Sequence, residues 1–120
     1  MKVLIVEDEV MLSGALETKF KNEGFEVTKA ENGQVGLEMA ISQNPDIILL
    51  DLMMPVMDGK IMLKRLRDMP DFKYVPVIVL TNAGDVDNMR ETKRYFGASD
   101  FLIKSNVTPD DIVKKVRDYI

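Results

Sequence analysis

Residues 46–59 read Asp-Ile-Ile-Leu-Leu-Asp-Leu-Met-Met-Pro-Val-Met-Asp-Gly, an apolar run that ends in an acid and continues into a loop. The apolar residues 47–50 are typical of a strand that is buried on both faces of a sheet, because the run is short and partly β-branched. Asp51, just past its end, would lie at the carboxyl edge of the sheet, where open parallel sheets form their sites. Pro55 and Asp58-Gly59 then indicate a loop before a helix. A carboxylate beside a core is costly unless another group pairs with it, so further polar residues should meet Asp51 at this edge.

The composition of the chain fits one globular domain and restricts its chemistry. The chain has 120 residues, a net charge of −4, no Cys and no His. This length suits a single domain over residues 1–120. The lack of a long apolar run or a signal peptide predicts no membrane span and fits a cytoplasmic protein. The negative charge argues against direct nucleic-acid binding, and any chemistry must come from carboxylates, hydroxyls, Lys, Arg and a hard metal ion.

Strand-like and helix-like patterns alternate five times along the chain. The predicted strands are residues 2–6, 25–30, 46–50, 75–80 and 101–103, and a helix follows each of them, the fourth at about residues 86–96. Five βα units imply parallel strands joined by right-handed crossovers. Strands one, three and four are apolar on both sides and belong inside the sheet, while strand two alternates and strand five is short. The pattern therefore predicts an α/β, doubly wound, flavodoxin-like (βα)5 fold with strand order 2-1-3-4-5.

Three helix ends carry clear local signals. Gly24 predicts a left-handed residue after the first helix, and Asn32-Gly33 opens the second helix. Residues 108–111, Thr-Pro-Asp-Asp, predict an N-cap, a proline at the first helical position and early acids for the last helix.

Polar residues follow four of the five predicted strands at the same edge of the sheet. They are Glu7-Asp8-Glu9 after strand one, Asp51 after strand three, Thr81 after strand four and Lys104 after strand five. Three carboxylates, those of Glu7, Asp8 and Asp51, would crowd the point where the strand order reverses. Like charges repel there unless a cation intervenes, and oxygen ligands without His or Cys favour Mg²⁺ or Mn²⁺.

This set of residues predicts a phosphoryl-transfer site. Asp51, flanked by a metal ion and an ammonium group, is a candidate nucleophile that would form an aspartyl-phosphate. The metal and Lys104 would neutralise the phosphoryl oxygens, and the hydroxyl of Thr81 would donate to one of them. A simpler interpretation is an acidic cluster that binds Mg²⁺ or Ca²⁺ without chemistry, but it does not explain Lys104 and Thr81.

The sequence resembles the receiver domain of bacterial two-component response regulators, the CheY-like family. The resemblance covers essentially the whole chain and rests on residues 3–9, Asp51 with Met54-Pro55 and Asp58-Gly59, Leu80-Thr81, and residues 97–104. It implies that Asp51 is the phosphoacceptor, that Asp8 ligates Mg²⁺ directly and that Glu7 acts largely through a bound water. It also implies that Met53 gives its backbone carbonyl to the metal, that Lys104 faces the acceptor, and that Thr81 and Phe101 form the switch.

The resemblance also implies partners and an output. The phosphoryl donor would be a phosphohistidine on a sensor histidine kinase or His-phosphotransfer protein, which must be another molecule or a missing segment because this chain has no His. The domain would not be an enzyme but a phosphoacceptor that assists its own phosphorylation and dephosphorylation. Its helix 4–strand 5–helix 5 face would shift between two conformers, as a monomer or a phosphorylation-dependent dimer. A downstream protein target or a missing effector domain would read that face.

Three departures from the family pattern carry expectations of their own. Ser105 stands where a proline in a cis peptide is usual, which predicts either a trans Lys104–Ser105 bond with a readjusted loop or a strained cis bond. Asn82 stands where a small residue is common, which predicts narrower access to the phosphoryl group. Met53 and Ala83 cannot orient an attacking water by hydrogen bonding, which predicts slow autodephosphorylation, over hours rather than seconds.

Three other interpretations remain to be weighed. A phosphatase of the haloacid-dehalogenase type would carry Asp-x-Asp after strand one, where this chain has Glu7-Asp8-Glu9, and would add a cap domain. A flavodoxin-like nucleotide binder would need a Gly/Ser/Thr-rich phosphate loop where these acids stand. A pseudo-receiver, an interaction module that works without phosphate, is opposed by the set of Asp8, Asp51, Thr81 and Lys104 but favoured by Ser105.

Overall fold

Strands and helices alternate along the chain in the computed structural model, which describes residues 1–82, 90, 92–93 and 96–120. The strands are β1 (Lys2–Val6), β2 (Glu26–Ala30), β3 (Ile47–Asp51), β4 (Val77–Thr81) and β5 (Asp100–Ile103). The helices are α1 (Val10–Asn22), α2 (Gly33–Gln43), α3 (Gly59–Arg67) and the C-terminal helix (Pro109–Arg117), with short 3-10 helices at Pro70–Phe72 and Lys104–Asn106. The helix predicted at about residues 86–96 lies mostly outside the described residues.

All five strands are parallel and lie in the order β2-β1-β3-β4-β5, which confirms the predicted fold class and topology. The order reverses between β1 and β3, where Val6 pairs with Leu50. Two strand ends differ from the prediction. Asp51 and Thr81 are the last residues of β3 and β4 rather than the first residues of the loops, since each still pairs with a neighbouring strand. The strand backbone therefore fixes the position of both side chains.

Successive residues of the central strands enter two separate cores, one on each face of the sheet. Leu4, Val6, Ile48, Leu50, Val77 and Val79 pack with residues of α2 and α3. Val3, Ile5, Ile47, Leu49, Ile78 and Leu80 pack with residues of α1 and the C-terminal helix. Each fully buried Leu, Ile or Val contributes roughly 1.5–3 kcal/mol of transfer free energy. Burial on both faces explains why these strands read as continuous apolar runs.

The edge strands and the helix ends also agree with the sequence. Most residues of β2 and β5 are only partly buried, as expected of edge strands. Gly24 has a φ of +90°, and the Asn32 side chain caps α2 by accepting from the Val35 N–H. Thr108 and Asp111 form a reciprocal capping box at the start of the C-terminal helix. Among the described residues, no helix combines the length and the apolar character that a membrane crossing requires.

Arg67, the last residue of α3, forms hydrogen bonds at the amino edge of the sheet, beside β4 and β5. Its guanidinium donates to the carbonyl oxygens of Phe72 at 2.6 Å and Val75 at 2.7 Å, just before β4. It also donates twice to the Gly97 carbonyl, at 3.0 and 2.9 Å, shortly before β5. The side chain is half-buried, and burial lowers the pKa of Arg67 from its usual value. One side chain thus fixes both connections at this edge.

Candidate functional site

The carboxyl edge of the sheet gathers charged side chains around the ammonium of Lys104. This nitrogen lies 2.5 Å from Glu7 Oε1, 3.1 Å from Asp51 Oδ2 and 3.3 Å from Glu9 Oε1. Glu7 and Glu9 come from the end of β1 and the residues after it, and Asp51 ends β3. Lys104 follows β5 and reaches across the end of β4 to meet them. The parallel register places residues that are 53 to 97 positions apart in sequence at one point.

Three carboxylates of this edge form a compact cluster. Each of Glu7, Asp8 and Asp51 offers an oxygen, and these oxygens lie within 4.8 Å of one another. Glu7 and Asp51 are each only 3% exposed, whereas Asp8 is exposed to solvent. Buried carboxylates must be paired or hydrogen-bonded to remain ionised. The cluster therefore depends on Lys104 or on a further cation.

Burial and mutual contact change the protonation of these groups. The pKa of Glu7 is raised to about 8, chiefly by burial and next by its hydrogen bond with Asp51, while Lys104 acts in the opposite direction. Burial lowers the pKa of Lys104, but the hydrogen bonds and charges of Glu7 and Asp51 outweigh burial and raise it above the usual value for lysine. Lys104 therefore remains a cation at neutral pH, and Glu7 holds a proton more readily than an exposed glutamate does.

Backbone amides orient the two buried carboxylates. The N–H of Met53 donates to Asp51 Oδ1 at 3.2 Å, and the N–H of Asp8 donates to Glu7 Oε2 at 3.2 Å. Gly59 lies directly behind Asp51, because a Cβ at this position would come within 2.5 Å of the Asp51 carbonyl oxygen. Met53 is exposed to solvent. Ala83, which was paired with Met53 in the expectation of slow dephosphorylation, lies outside the described residues.

Thr81 provides the unusual polar group of the site. It is 1% exposed, and its Oγ1 is the one fully buried side-chain nitrogen or oxygen without a hydrogen-bond partner in the part of the chain that the structure describes. An unpaired buried hydroxyl costs about 1–3 kcal/mol, so such groups are rare in stable folds. Its position at the end of β4, between Asp51 on β3 and Ile103 on β5, makes the hydroxyl a free donor at the same edge.

The remaining site predictions concern β5 and the turn after it. Phe101 is half-buried and packs against the core that contains α2 and α3. The described residues contain no cis peptide bond, so the Lys104–Ser105 bond is trans. Residues 104–106 form a 3-10 turn there. Of the two bond geometries that Ser105 predicted, the trans bond is the one present.

Sequence reasoning gave no role to Glu9 or Gly59. Glu9 was noted only as the third residue of an acidic run, and its carboxylate contacts Lys104. No local pattern could have indicated this contact, because the two residues are 95 positions apart. Gly59 was interpreted as a loop residue, and its close approach to Asp51 depends on how α3 returns to the sheet.

Comparison with known proteins gives a family match and several relatives. The family model described as the response regulator receiver domain matches residues 3–117. The probable transcriptional regulator ycf27 of Cyanophora paradoxa is 34% identical over 119 residues, which are 99% of this chain and 48% of that protein. The response regulator PleD of Caulobacter vibrioides is 42% identical over 103 residues, which are 86% of this chain and 22% of that protein. The chain thus spans about half or less of the length of these relatives.

The solved structures include a similar protein of matching length. The chemotaxis response regulator CheY4 of Vibrio cholerae superposes with a TM-score of 0.91 at 28% sequence identity. The alignment covers 99% of this chain and 98% of that chain. The flavodoxin-like sheet and the position of its carboxyl edge are therefore shared with a known signalling fold.

Proposed function

Because the chain belongs to the response regulator receiver domain family, we propose that it accepts a phosphoryl group on Asp51 from a phosphohistidine. The donor would lie on a sensor histidine kinase or a His-phosphotransfer protein. The observation that carries the proposal is the meeting of three groups at one edge: the buried Asp51 carboxylate, the Lys104 ammonium and the unpaired Thr81 hydroxyl. An acidic cluster that only bound a cation would require neither of the last two.

The reaction would be an in-line displacement at phosphorus. An oxygen of the Asp51 carboxylate attacks the phosphorus while the bond from phosphorus to the donor's imidazole nitrogen breaks, and the electron pair of that bond returns to the imidazole. Lys104 lies 3.1 Å from Asp51 Oδ2 and would neutralise a phosphoryl oxygen as charge develops. Thr81 would then donate its hydroxyl to another phosphoryl oxygen, which would give this buried group the partner it lacks.

A divalent cation fits the acidic cluster. Its three carboxylates supply hard oxygen ligands, and the chain has no His or Cys to favour a softer metal. We propose Mg²⁺, with Mn²⁺ as a substitute, bound directly by Asp8 and Asp51 and by the Met53 carbonyl, with Glu7 acting through a water. When bound, the ion supplies positive charge to the transferring phosphoryl oxygens.

The output of phosphorylation would be a shift between two conformers. Engagement of the Thr81 hydroxyl would draw the end of β4 inward, and Phe101 on the neighbouring strand would follow. A downstream protein or an effector domain would read the altered face, as a monomer or a phosphorylation-dependent dimer, in the cytoplasm and without direct DNA contact by this domain. An effector domain accords with the greater length of the curated relatives.

Intact-mass measurement tests the proposal directly. The protein is incubated with Mg²⁺ and acetyl phosphate, beside Asp51→Asn and a control, Asp118→Asn, which makes the same change at an exposed acid. We expect one added phosphoryl mass in the parent and in Asp118→Asn, and none in Asp51→Asn. A parent that stays unmodified with excess donor and metal would overturn the proposal and favour a phosphorylation-independent pseudo-receiver.

A further inference from the structure

The ammonium of Lys104 has no donor to spare. A lysine ammonium carries three N–H groups, and Lys104 meets three carboxylates, those of Glu7, Asp51 and Glu9. In the proposed function, this same ammonium must also bind a phosphoryl oxygen. One of the three present contacts must therefore be given up when the phosphoryl group arrives.

The three contacts differ in how readily they can be released. The side chain of Glu7 is fully buried and that of Asp51 is 5% exposed, so water cannot take the place of Lys104 at either while the phosphoryl group approaches. The side chain of Glu9 is 60% exposed and makes the longest of the three contacts. Water can replace Lys104 at Glu9 at little cost, as is usual for an exposed ion pair.

The position of Glu9 at the start of α1 gives a second reason to single it out. Glu9 is the N-cap residue of α1, where a side chain usually accepts a hydrogen bond from the first turn, yet its side chain makes no capping bond. Its carboxylate extends to Lys104 instead. After release it would still lie near the positive end of the helix dipole, which favours an anion.

We propose that Glu9 is a positioning residue that holds Lys104 in the unphosphorylated domain and yields it to the phosphoryl group. The proposal rests on the proposed function, since it assigns a role in that same reaction. Glu9 neither accepts the phosphoryl group nor binds it. Glu9 competes with the phosphoryl group for the Lys104 ammonium. Loss of the Glu9 contact should therefore raise the rate of phosphorylation.

Two substitutions at Glu9 separate the contact from the charge. Glu9→Asp keeps the negative charge but shortens the side chain by one methylene, so its carboxylate withdraws from Lys104. Glu9→Gln removes the charge at nearly the same length. Glu31→Gln is the matched control, because Glu31 is an exposed acid just after β2 at the same edge of the sheet.

The first measurement is the phosphorylation rate by intact mass over a range of acetyl phosphate concentrations with Mg²⁺. We expect Glu9→Asp and Glu9→Gln to raise the maximal rate about two- to five-fold, the change that corresponds to loss of an exposed ion pair. The donor concentration at half-maximal rate should stay unchanged in Glu9→Asp, and Glu31→Gln should change the maximal rate by less than about two-fold, since it breaks no contact with Lys104.

The second measurement follows the Glu9 carboxyl carbon by ¹³C NMR, with the resonance assigned by its loss in Glu9→Gln. We expect this resonance to move on phosphorylation of the parent, because the carboxylate loses its ammonium partner. A resonance that stays in place, or an unchanged maximal rate in Glu9→Asp, would overturn the role of Glu9 while the parent still gains the phosphoryl mass. A parent that gains no mass would overturn the proposed function and this role together.

Discussion

The two edges of the sheet each hold a partly buried cation, and they hold it in opposite ways. At the carboxyl edge, Lys104 meets three carboxylates, and two of them are almost fully buried. At the amino edge, the acceptors of Arg67 among the described residues are backbone carbonyls, those of Phe72, Val75 and Gly97. Carboxylates can take up a proton, a metal ion or a phosphoryl group, whereas backbone carbonyls are neutral and fixed by the fold.

The carboxyl edge therefore has groups whose protonation or ligands could change, whereas the contacts at the amino edge stabilise the fold. The proposed exchange of ligands at Lys104 would alter the charge balance of the site but would break no backbone hydrogen bond, because its partners are side chains. Loss of the contacts at Arg67 would release the segments that lead into β4 and β5. Under the proposed function, the same kind of side chain, a long cation at the end of an element, would serve the reaction at one edge and stability at the other.

Removal of the cation at the carboxyl edge should have the largest effect, and this effect should be on the rate of phosphorylation. We expect Lys104→Met to lower the phosphorylation rate about 100-fold, the usual effect of removing one group that stabilises developing charge. The intact-mass time course with acetyl phosphate and Mg²⁺ measures it. Lys64→Met, at an exposed lysine of α3, is the control and should change the rate by less than about two-fold. A Lys104→Met rate within ten-fold of the parent would contradict the role given to this edge.

Removal of the cation at the amino edge should act on stability instead. Arg67→Met leaves the carbonyl oxygens of Phe72, Val75 and Gly97 without their donor, and we expect a loss of about 2–4 kcal/mol in the free energy of unfolding. Urea denaturation measures the loss, and Arg65→Met, at an exposed arginine of the same helix, should cost less than about 0.5 kcal/mol. The folded fraction of Arg67→Met should be phosphorylated at the parental rate. A slower phosphorylation rate with an unchanged free energy of unfolding in Arg67→Met would contradict the assignment of Arg67 to stability.

The carboxyl edge should also make stability depend on pH. The pKa of Glu7 is about 8 in the folded domain, against an ordinary value of 4.5, so the folded chain binds an extra proton between these values. Stability from this group is complete below pH 4.5 and is lost as the pH rises through about 8. Asp8, Asp51 and Lys104 surround Glu7. In buffer with a chelator, we expect the free energy of unfolding to fall by at least about 1 kcal/mol between pH 5 and pH 8.

The variant Glu7→Gln is the control for this pH dependence, because it cannot titrate. Its free energy of unfolding should vary much less than that of the parent over the same range. The carboxyl groups whose pKa is lowered, such as Glu17, Glu23 and Asp100, affect stability only at lower pH. A parental slope that persists in Glu7→Gln would show that another group causes it.

The sequence predicted which residues meet at the carboxyl edge, but it carried little information about the amino edge. Polar residues that follow apolar strands are visible in the chain, and the parallel topology alone brings Glu7, Asp51, Thr81 and Lys104 together. Arg67 left no such signal, because its acceptors are carbonyl groups that every residue carries. Its acceptors also lie 5 to 30 positions away, so only the folded backbone selects them.

The limits of the strands were harder to predict than their order. Asp51 and Thr81 looked like loop residues because polar side chains usually end a strand. In the fold, hydrogen bonding continues to both of them, because the neighbouring strands extend equally far. The contact between Glu9 and Lys104 was likewise invisible, since it depends on the path of the turn after β5. Sequence patterns thus predicted which residues meet, but not which contacts each would make.

The smallest expected effect on stability concerns residues with left-handed backbone conformation, and the type of residue in this conformation differs between the two edges. Asn44, after α2 at the amino edge, has a φ of +49°, which asparagine tolerates, whereas Val56, in the loop after β3, has a φ of +68°. A β-branched residue is strained there by about 1–2 kcal/mol, and glycine would relieve this while losing about 0.4–1 kcal/mol through the more flexible unfolded chain. We therefore expect Val56→Gly to raise the free energy of unfolding by about 0.5–1 kcal/mol. Asn44→Gly should change it by only a few tenths, and urea denaturation of the two variants side by side would decide whether the strain is confined to the edge where Asp51 lies.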